Sequence, residues 1–203
     1  DPNAANEGFL ATAAEAGLPL DLHVDETLDP ARFALADLAE RVIASRFPHR
    51  VAASHCVSLI MQPASVQAQI SERIAEAGIS VIALPSSNLF LQGRDHGVGT
   101  PRALTAVAAL RSAGVNVAAG ADNLQDPFNP VGRGDCLETA SLMVMAGHLL
   151  PDDAYFIVSN AVRAAMGLRA AGTQIGMAAD LVLLPATTTR EAIAFAPYER
   201  TII

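Results

Sequence analysis

Residues 18–26 read LPLDLHVDE, and this stretch sets the pattern for the first part of the chain. A short apolar run ends on His23, directly after an alanine-rich, helix-prone stretch (residues 3–16) that stops at Gly17. Short apolar runs bounded by glycine or proline are typical of buried strands. We therefore predict a helix followed by a strand that ends at His23.

Three later segments repeat this order of helix and strand. The predicted strands are RVAASH (50–55), ISVIALP (79–85) and VNVAAGAD (115–122), and the predicted helices before them span 31–46, 64–77 and 101–113, with Pro101 in a first turn. A repeat of roughly 30 residues with nearly continuous apolar strands indicates βα units and a buried parallel sheet. Both a doubly wound sheet and a (β/α)8 barrel fit this pattern.

The positions of the reactive side chains favour the barrel. His23, His55 and Asp122 each end a predicted strand, and barrel enzymes place their catalytic residues at the carboxyl ends of strands. Beyond Asp122 the pattern predicts helices at 135–149 and 152–169, then strands at 178–184 and 198–203. These last strands leave the repeat, so we expect them to belong to a separate small β region.

The overall composition excludes several classes of protein. A net charge of -8 over 203 residues argues against binding to nucleic acid through phosphate contacts. No apolar run reaches the 18 residues of a membrane span, and no signal peptide is visible, which predicts a cytoplasmic protein without membrane contact. The two cysteines lack metal-binding or redox spacing, so unpaired thiols are expected.

Four polar residues are expected to converge at one end of the sheet. His23 and Glu26 form the pattern H-x-x-E at a strand end, and His55 and Asp122 end two other strands. A neutral imidazole binds a metal, and a nearby carboxylate moves protons. Each residue alone would also fit a structural role, but four in register with the repeat favour metal-assisted hydrolysis.

Longer motifs around these residues resemble the cytosine-deaminase-like amidohydrolases. HVDE (23–26), ASH (53–55) and GAD (120–122) are similar to the ends of strands 5, 6 and 8 in that family. Three further motifs resemble the stretch after strand 7, the stretch after strand 8 and the last strand: NLFLQGR (88–94), DNLQDPFNPVG (122–132) and IGMAADLVLLPA (175–186). The resemblance covers nearly the whole chain in the same order.

The resemblance implies a role for each of the four residues. His23 would be a metal ligand, and Asp122 would be a second ligand that also takes a proton from the attacking water. Glu26 would protonate the ring nitrogen and then the leaving ammonia. His55 would polarise the water without binding the metal. One divalent ion, Zn or Fe, is implied.

The implied substrate is a small cyclic amidine, with cytosine as the leading candidate. Gln92, Asn123 and Phe128 would bind it, and Arg94 lies either near the pocket or in a purely structural loop. Cytosine deaminases usually carry aspartate where this chain has Asn123, and an amide donates as well as accepts. Isocytosine, imidazolones, pterins and N-substituted triazines therefore stay open as substrates.

One motif of the family is missing, which determines the expected domain organisation. The chain has no H-x-H, the strand 1 pair that supplies two metal ligands in the family. We therefore expect residues 1–170 to form the C-terminal half of a metal-dependent (β/α)8 TIM barrel, about strands 5–8. Residues 171–203 would add the C-terminal strands of a small β-sandwich domain.

The missing N-terminal half would come from the same polypeptide or from another chain, and homo-oligomerisation is left open. Two other functions compete with deamination. One is a related amidohydrolase that opens a ring or cleaves a cyclic amide, and the other is a non-catalytic half-barrel. A doubly wound nucleotide-binding protein is a weaker alternative, because no glycine-rich phosphate loop follows a predicted strand.

Overall fold

A four-stranded parallel sheet forms the centre of the molecule in a computed structural model that describes residues 2–203 and the side chains of residues 4–203. The strands are β1 (Leu20–Val24), β2 (Val51–His55), β3 (Ser80–Ala83) and β4 (Val117–Ala119). Each overlaps the segment predicted from the sequence, but β1 ends one residue after His23 and β4 ends three residues before Asp122. The prediction of a buried parallel sheet is confirmed.

The strand order distinguishes the two architectures that the sequence left open. The strands pair in chain order, β1-β2-β3-β4, with no reversal. A doubly wound sheet reverses its order at a switch point, whereas a barrel adds each strand beside the last. All five residues of β2 are buried, while β1 exposes Asp21 and His23. The order is that of a partial barrel, with β1 at one edge.

Helices alternate with these strands and cover one face of the sheet. Their bounds are α1 (Pro2–Ala16), α2 (Ala34–Ser45), α3 (Ala64–Glu76), α4 (Pro85–Leu91), α5 (Val107–Ser112), α6 (Cys136–Met145), α7 (Pro151–Ile157), α8 (Asn160–Ala165) and α9 (Thr189–Phe195), with a 3-10 turn at Val57–Leu59. Leu38 of α2, Ile74 of α3 and Leu110 of α5 are fully buried and pack in one core with Ala53 and Val81 of the sheet. The apolar side of each of these helices therefore packs against the sheet, as the helical spacing of its apolar residues predicts.

Two helix predictions need correction. The helix predicted at 101–113 begins only at Val107, so Pro101 is not in its first turn. Ala103 has a φ of +53°, which interrupts a right-handed helix, and Leu104 is buried in the core instead. The helix predicted at 152–169 is divided into α7 and α8 near Ser159, whose hydroxyl donates to the Tyr155 carbonyl.

The C-terminal segment combines a short ribbon with a helix. Strands β5 (Val182–Leu183) and β6 (Thr201–Ile202) pair antiparallel, as the sequence predicts for a separate β region. Helix α9 between them was not predicted, and its Ile193 packs in the same core as the sheet. The β-sandwich itself stays a prediction. Within residues 2–203, no helix is long and apolar enough to cross a membrane.

Candidate metal centre and active site

The strand ends bring three of the predicted residues together. His23 lies in β1, His55 is the last residue of β2, and Asp122 follows β4. His55 Nε2 lies 2.9 Å from His23 Nδ1 and 3.9 Å from Asp122 Oδ2. One potential ligand atom from each residue lies within 4.8 Å of the others. This convergence follows from the parallel sheet, because the carboxyl ends of its strands meet at one edge.

A local backbone change directs His55 toward this cluster. In the sheet register His55 pairs with Val24, so strand alternation alone would place its ring on the face opposite His23. His55 instead has a φ of +69°, and Cys56 follows with +50°. Left-handed non-glycine residues of this kind cost about 1–2 kcal/mol each. The Cys56 amide donates a hydrogen bond to the Val24 carbonyl at 2.9 Å. This bond joins the turn to β1 and offsets part of the conformational cost.

Glu26 lies beside the same cluster. Its Oε1 is 3.5 Å from His55 Nδ1, and its side chain is 38% exposed, whereas Asp122 is 15% exposed. A carboxylate that touches both a buried imidazole and open space can exchange protons with a bound molecule. Glu26 therefore lies between buried His55 and solvent, and its role as a proton shuttle stays a prediction.

Asp25 holds the loop that carries Glu26, and sequence reasoning did not select it. Its two carboxylate oxygens accept from the backbone amides of Ala34 (2.8 Å) and Leu35 (2.9 Å) at the start of α2. Burial raises the pKa of Asp25, against the opposing effect of the hydrogen bonds from Leu35 and Ala34. The residue lies inside the HVDE motif, but a helix cap nine residues away leaves no local sequence signal.

Two further residues were missed, and both lie on α4. Asn88 Oδ1 is 2.9 Å from His55 Nδ1, and Ser87 Oγ donates to Asp122 Oδ2. Both Ser87 and Asn88 are fully buried. Asn88 opens the NLFLQGR motif, so that motif could have suggested it. Ser87 has no comparable signal.

Among the described residues, none of the predicted substrate-binding residues hydrogen-bonds to His23, His55 or Asp122. Asn123 donates through Nδ2 to Asp126 Oδ2 at 2.6 Å. Phe128 is 51% exposed, and Gln92 follows α4 with a buried Nε2 that has no partner among the described residues. Arg94 lies 4.2 Å over the Phe90 ring and donates to its carbonyl, which favours the structural alternative for this residue.

A cavity of about 240 Å³ opens beside the loop that carries Glu26. His23, Asp25, Glu26 and Thr27 contribute to its wall. A larger cavity lies between α1 and α2, but its lining contains none of the predicted catalytic residues. The smaller cavity therefore borders the side of the site formed by His23 and Glu26, while His55 and Asp122 do not line it.

The donor set fits a transition-metal ion. Imidazole nitrogen and carboxylate oxygen are the ligands that zinc and non-haem iron accept. Among the described residues, the group of His23, His55 and Asp122 supplies at most three such atoms, whereas a closed zinc site takes four. The cluster is therefore suited to a metal but leaves at least one position for another donor.

Comparison with known proteins places the chain in a family. The model of the amidohydrolase family matches residues 4–203. The chain belongs to the amidohydrolase family. It is 36% identical over 208 residues to a pterin deaminase from Rhizobium rhizogenes (strain K84), which covers 100% of the chain and 47% of that protein. The sequence resemblance to this group is confirmed.

Two solved structures of similar fold support the partial barrel. A 5-methylcytosine deaminase from Klebsiella pneumoniae, solved with phosphonocytosine, matches with a TM-score of 0.87 and 27% identity over 98% of the chain and 49% of its own length. The N-isopropylammelide isopropylaminohydrolase of Burkholderia multivorans matches with a TM-score of 0.83 and 29% identity over 100% and 50%. The chain thus spans about half the length of the relatives it matches.

Proposed function

We propose that this chain is the C-terminal half of a metal-dependent hydrolytic deaminase that acts on a small cyclic amidine. The observation that carries the proposal is the convergence of His23, Glu26, His55 and Asp122 at one end of the sheet. The similarity to a pterin deaminase and to a 5-methylcytosine deaminase supports the same reaction class.

In this proposal His23 and Asp122 hold one divalent ion, Zn or Fe, and the missing half supplies further ligands. When bound, the ion lowers the pKa of a water molecule and so makes a nucleophile available near neutral pH. His55 is left as a neighbour of both ligands, at 2.9 Å and 3.9 Å, and not as a ligand itself. Its two ring nitrogens face Asn88 and His23, so it acts on the attacking water through the ligand His23 and not by direct contact.

The protons move through the two carboxylates. Asp122 takes one proton from the water as the oxygen bonds to the ring carbon, and this proton passes through Glu26 to the ring nitrogen. Glu26 then takes the second proton from the new hydroxyl as the carbonyl forms and delivers it to the departing amino group, so that the carbon–nitrogen bond breaks and ammonia leaves. One water is consumed and one carbonyl forms. The partial exposure of Glu26 supports this role, because the shuttle must reach both His55 and the substrate.

The substrate is a planar heterocycle that carries an amidine, and cytosine-like rings, pterins and triazines are its candidates. Asn123, Phe128 and Gln92 are the residues proposed to contact it. The relatives include both a pterin deaminase and a 5-methylcytosine deaminase, so they support the heterocycle class and leave the ring open. Pterin comes first in a test, because its deaminase shows the higher identity.

The proposal requires a second half-barrel. Strand β1 lies at an edge of the sheet with His23 exposed, and the relatives are about twice as long as this chain. An N-terminal half, on the same polypeptide or on another chain, would pair with the open edges and complete the ligand set. We use the term complete enzyme for this chain together with that half.

A substrate panel with ammonia detection tests the proposal. The complete enzyme is incubated with pterin, cytosine, 5-methylcytosine and an aminotriazine, and ammonia and metal content are both measured. We expect ammonia from at least one ring and about one Zn or Fe per chain. Loss of substrate without any release of ammonia or amine would favour the ring-opening alternative. Absence of both metal and turnover would favour the non-catalytic half-barrel.

A further inference from the structure

Helix α4 presents two adjacent, fully buried polar side chains to the candidate residues. Asn88 contacts His55 and Ser87 contacts Asp122, although α4 and its neighbours are more than 30 residues apart in sequence. Buried polar side chains are normally retained with defined partners. Neither residue has a part in the chemistry proposed above, so the contacts call for their own explanation.

The surroundings of His55 Nδ1 determine which ring nitrogen carries hydrogen. Asn88 Oδ1 lies at 2.9 Å and Glu26 Oε1 at 3.5 Å, and both are acceptors. Asn88 Oδ1 is the one within close hydrogen-bond distance, and an amide oxygen only accepts, so this contact places the hydrogen of a neutral His55 on Nδ1. A neutral imidazole has a single N–H, and its Nε2 is then an acceptor.

The tautomer of His55 also determines the tautomer of His23. His55 Nε2 lies 2.9 Å from His23 Nδ1, so His23 must donate through Nδ1. Its Nε2 then keeps a free lone pair, which is the form that a metal ligand requires. The 2.9 Å contact is also shorter than the separation of about 3.4 Å between two nitrogen ligands on one tetrahedral zinc. It therefore fits a hydrogen bond better than two ligands sharing one ion.

Ser87 acts on the carboxylate at the other side of the cluster. Its hydroxyl donates to Asp122 Oδ2, and among the described residues no side chain hydrogen-bonds Asp122 Oδ1. One carboxylate oxygen is thus occupied and the other is left for a different partner. Outer partners of this kind fix the orientation of a ligand.

We propose that Ser87 and Asn88 make α4 the positioning element of this site, with Asn88 setting the tautomers of His55 and His23 and Ser87 orienting Asp122. The inference rests on the proposed function, because it takes His23 and Asp122 as ligands. Neither α4 residue touches the reacting atoms. Their effect is on the geometry and protonation pattern of the residues that do.

We call the hydrogen-bonded series Asn88–His55–His23 the relay. Nitrogen-15 spectra of the histidine side chains test it directly. In the complete enzyme labelled with 15N-histidine, we expect His55 and His23 to carry hydrogen on Nδ1 and not on Nε2 near neutral pH. Asn88→Asp keeps the acceptor and should keep this pattern, whereas Asn88→Leu should lose it. A proton on His55 Nε2 in the wild type, or an unchanged pattern in Asn88→Leu, would overturn the relay.

Metal affinity tests whether Ser87 orients Asp122, and Ser86→Ala is the matched control. Ser87→Ala and Asn88→Leu should each weaken metal binding by about 10–100-fold, measured by competition with a chelator. Ser86→Ala removes a neighbouring hydroxyl of α4 that, among the described residues, hydrogen-bonds neither His55 nor Asp122, and it should bind metal as the wild type does. Equal affinity in all four proteins would refute the positioning role.

These outcomes separate the inference from the function on which it rests. The wild type could release ammonia while the α4 variants leave the histidine tautomers and the metal affinity unchanged. In that case the positioning role is wrong and the deaminase proposal stands. If the spectra show the expected tautomers but no ring is deaminated, the proposed function fails and the relay is a structural property of the fold.

Discussion

Replacing Asp25 with asparagine should loosen the first turn of α2 by a predictable amount. The carboxylate accepts from the Ala34 and Leu35 amides, and the residue at the helix start, Phe33, provides no side-chain cap. An asparagine has one carbonyl oxygen, so one of the two amides in this buried turn loses its partner at a cost of about 1–3 kcal/mol. Relief of the buried charge offsets part of that cost. We expect a net loss of about 2 kcal/mol.

Native-state hydrogen exchange of these amides measures the effect. A loss of 2 kcal/mol corresponds to about 30-fold faster exchange at Ala34 or Leu35 if the turn opens locally. Asp29→Asn is the matched control, because among the described residues the Asp29 carboxylate accepts a hydrogen bond only from the exposed Ala31 amide and lies 4.0 Å from Arg32 Nε. It should change exchange of the α2 turn by less than about twofold. Unchanged protection in Asp25→Asn would refute the capping role.

Three other predictions concern more distant parts of the chain. Arg200 lowers the pKa of Asp135 below its ordinary 3.8, so the pair stabilises the fold above that value and the stabilisation is lost as the pH falls through the folded pKa. Arg200→Met should therefore cost about 1 kcal/mol in urea unfolding at pH 7 and match the wild type in strong acid, and an equal deficit at both would contradict this. Gly93→Ala should lower the free energy of unfolding by about 1–3 kcal/mol, because Gly93 has a φ of +76° and an added Cβ would lie 2.7 Å from a threonine methyl. Gly97→Ala is the control: its added Cβ meets no atom within 4 Å, so it should be neutral in the same unfolding assay. Phe128→Ala should leave stability unchanged, since the ring is half exposed, but should raise KM about 3–10-fold if the ring lies over the substrate, and an unchanged KM would remove it from the site.

The four strands could be predicted because their signals are local, although only β2 ends at the predicted residue, His55. Each strand is an apolar run closed by a polar or special residue, and the repeat of helix and strand fixes a parallel sheet. Once the sheet is parallel, the positions of His23, His55 and Asp122 at one edge follow from geometry alone. The resemblance to the amidohydrolases added their roles.

The missed features depend on contacts between segments that are distant in sequence. Nothing near Ser87 shows that its hydroxyl reaches Asp122, because the contact exists only after β3 and β4 have paired. Asp25 caps a helix that starts nine residues later. Residues 101–106 have helical composition, but burial of Leu104 and the left-handed Ala103 override that preference. Tertiary packing thus decided what local propensity left open.

The most direct test of the central claim is the Glu26→Gln variant of the complete enzyme. Glutamine keeps the size of the side chain but cannot carry a proton between water and ring. We expect ammonia release from the best substrate to fall by about 10²–10⁴-fold, with metal content unchanged because Glu26 is not proposed as a ligand. Full activity in Glu26→Gln would contradict the account, and loss of metal with loss of activity would show that Glu26 is a ligand and not a proton shuttle.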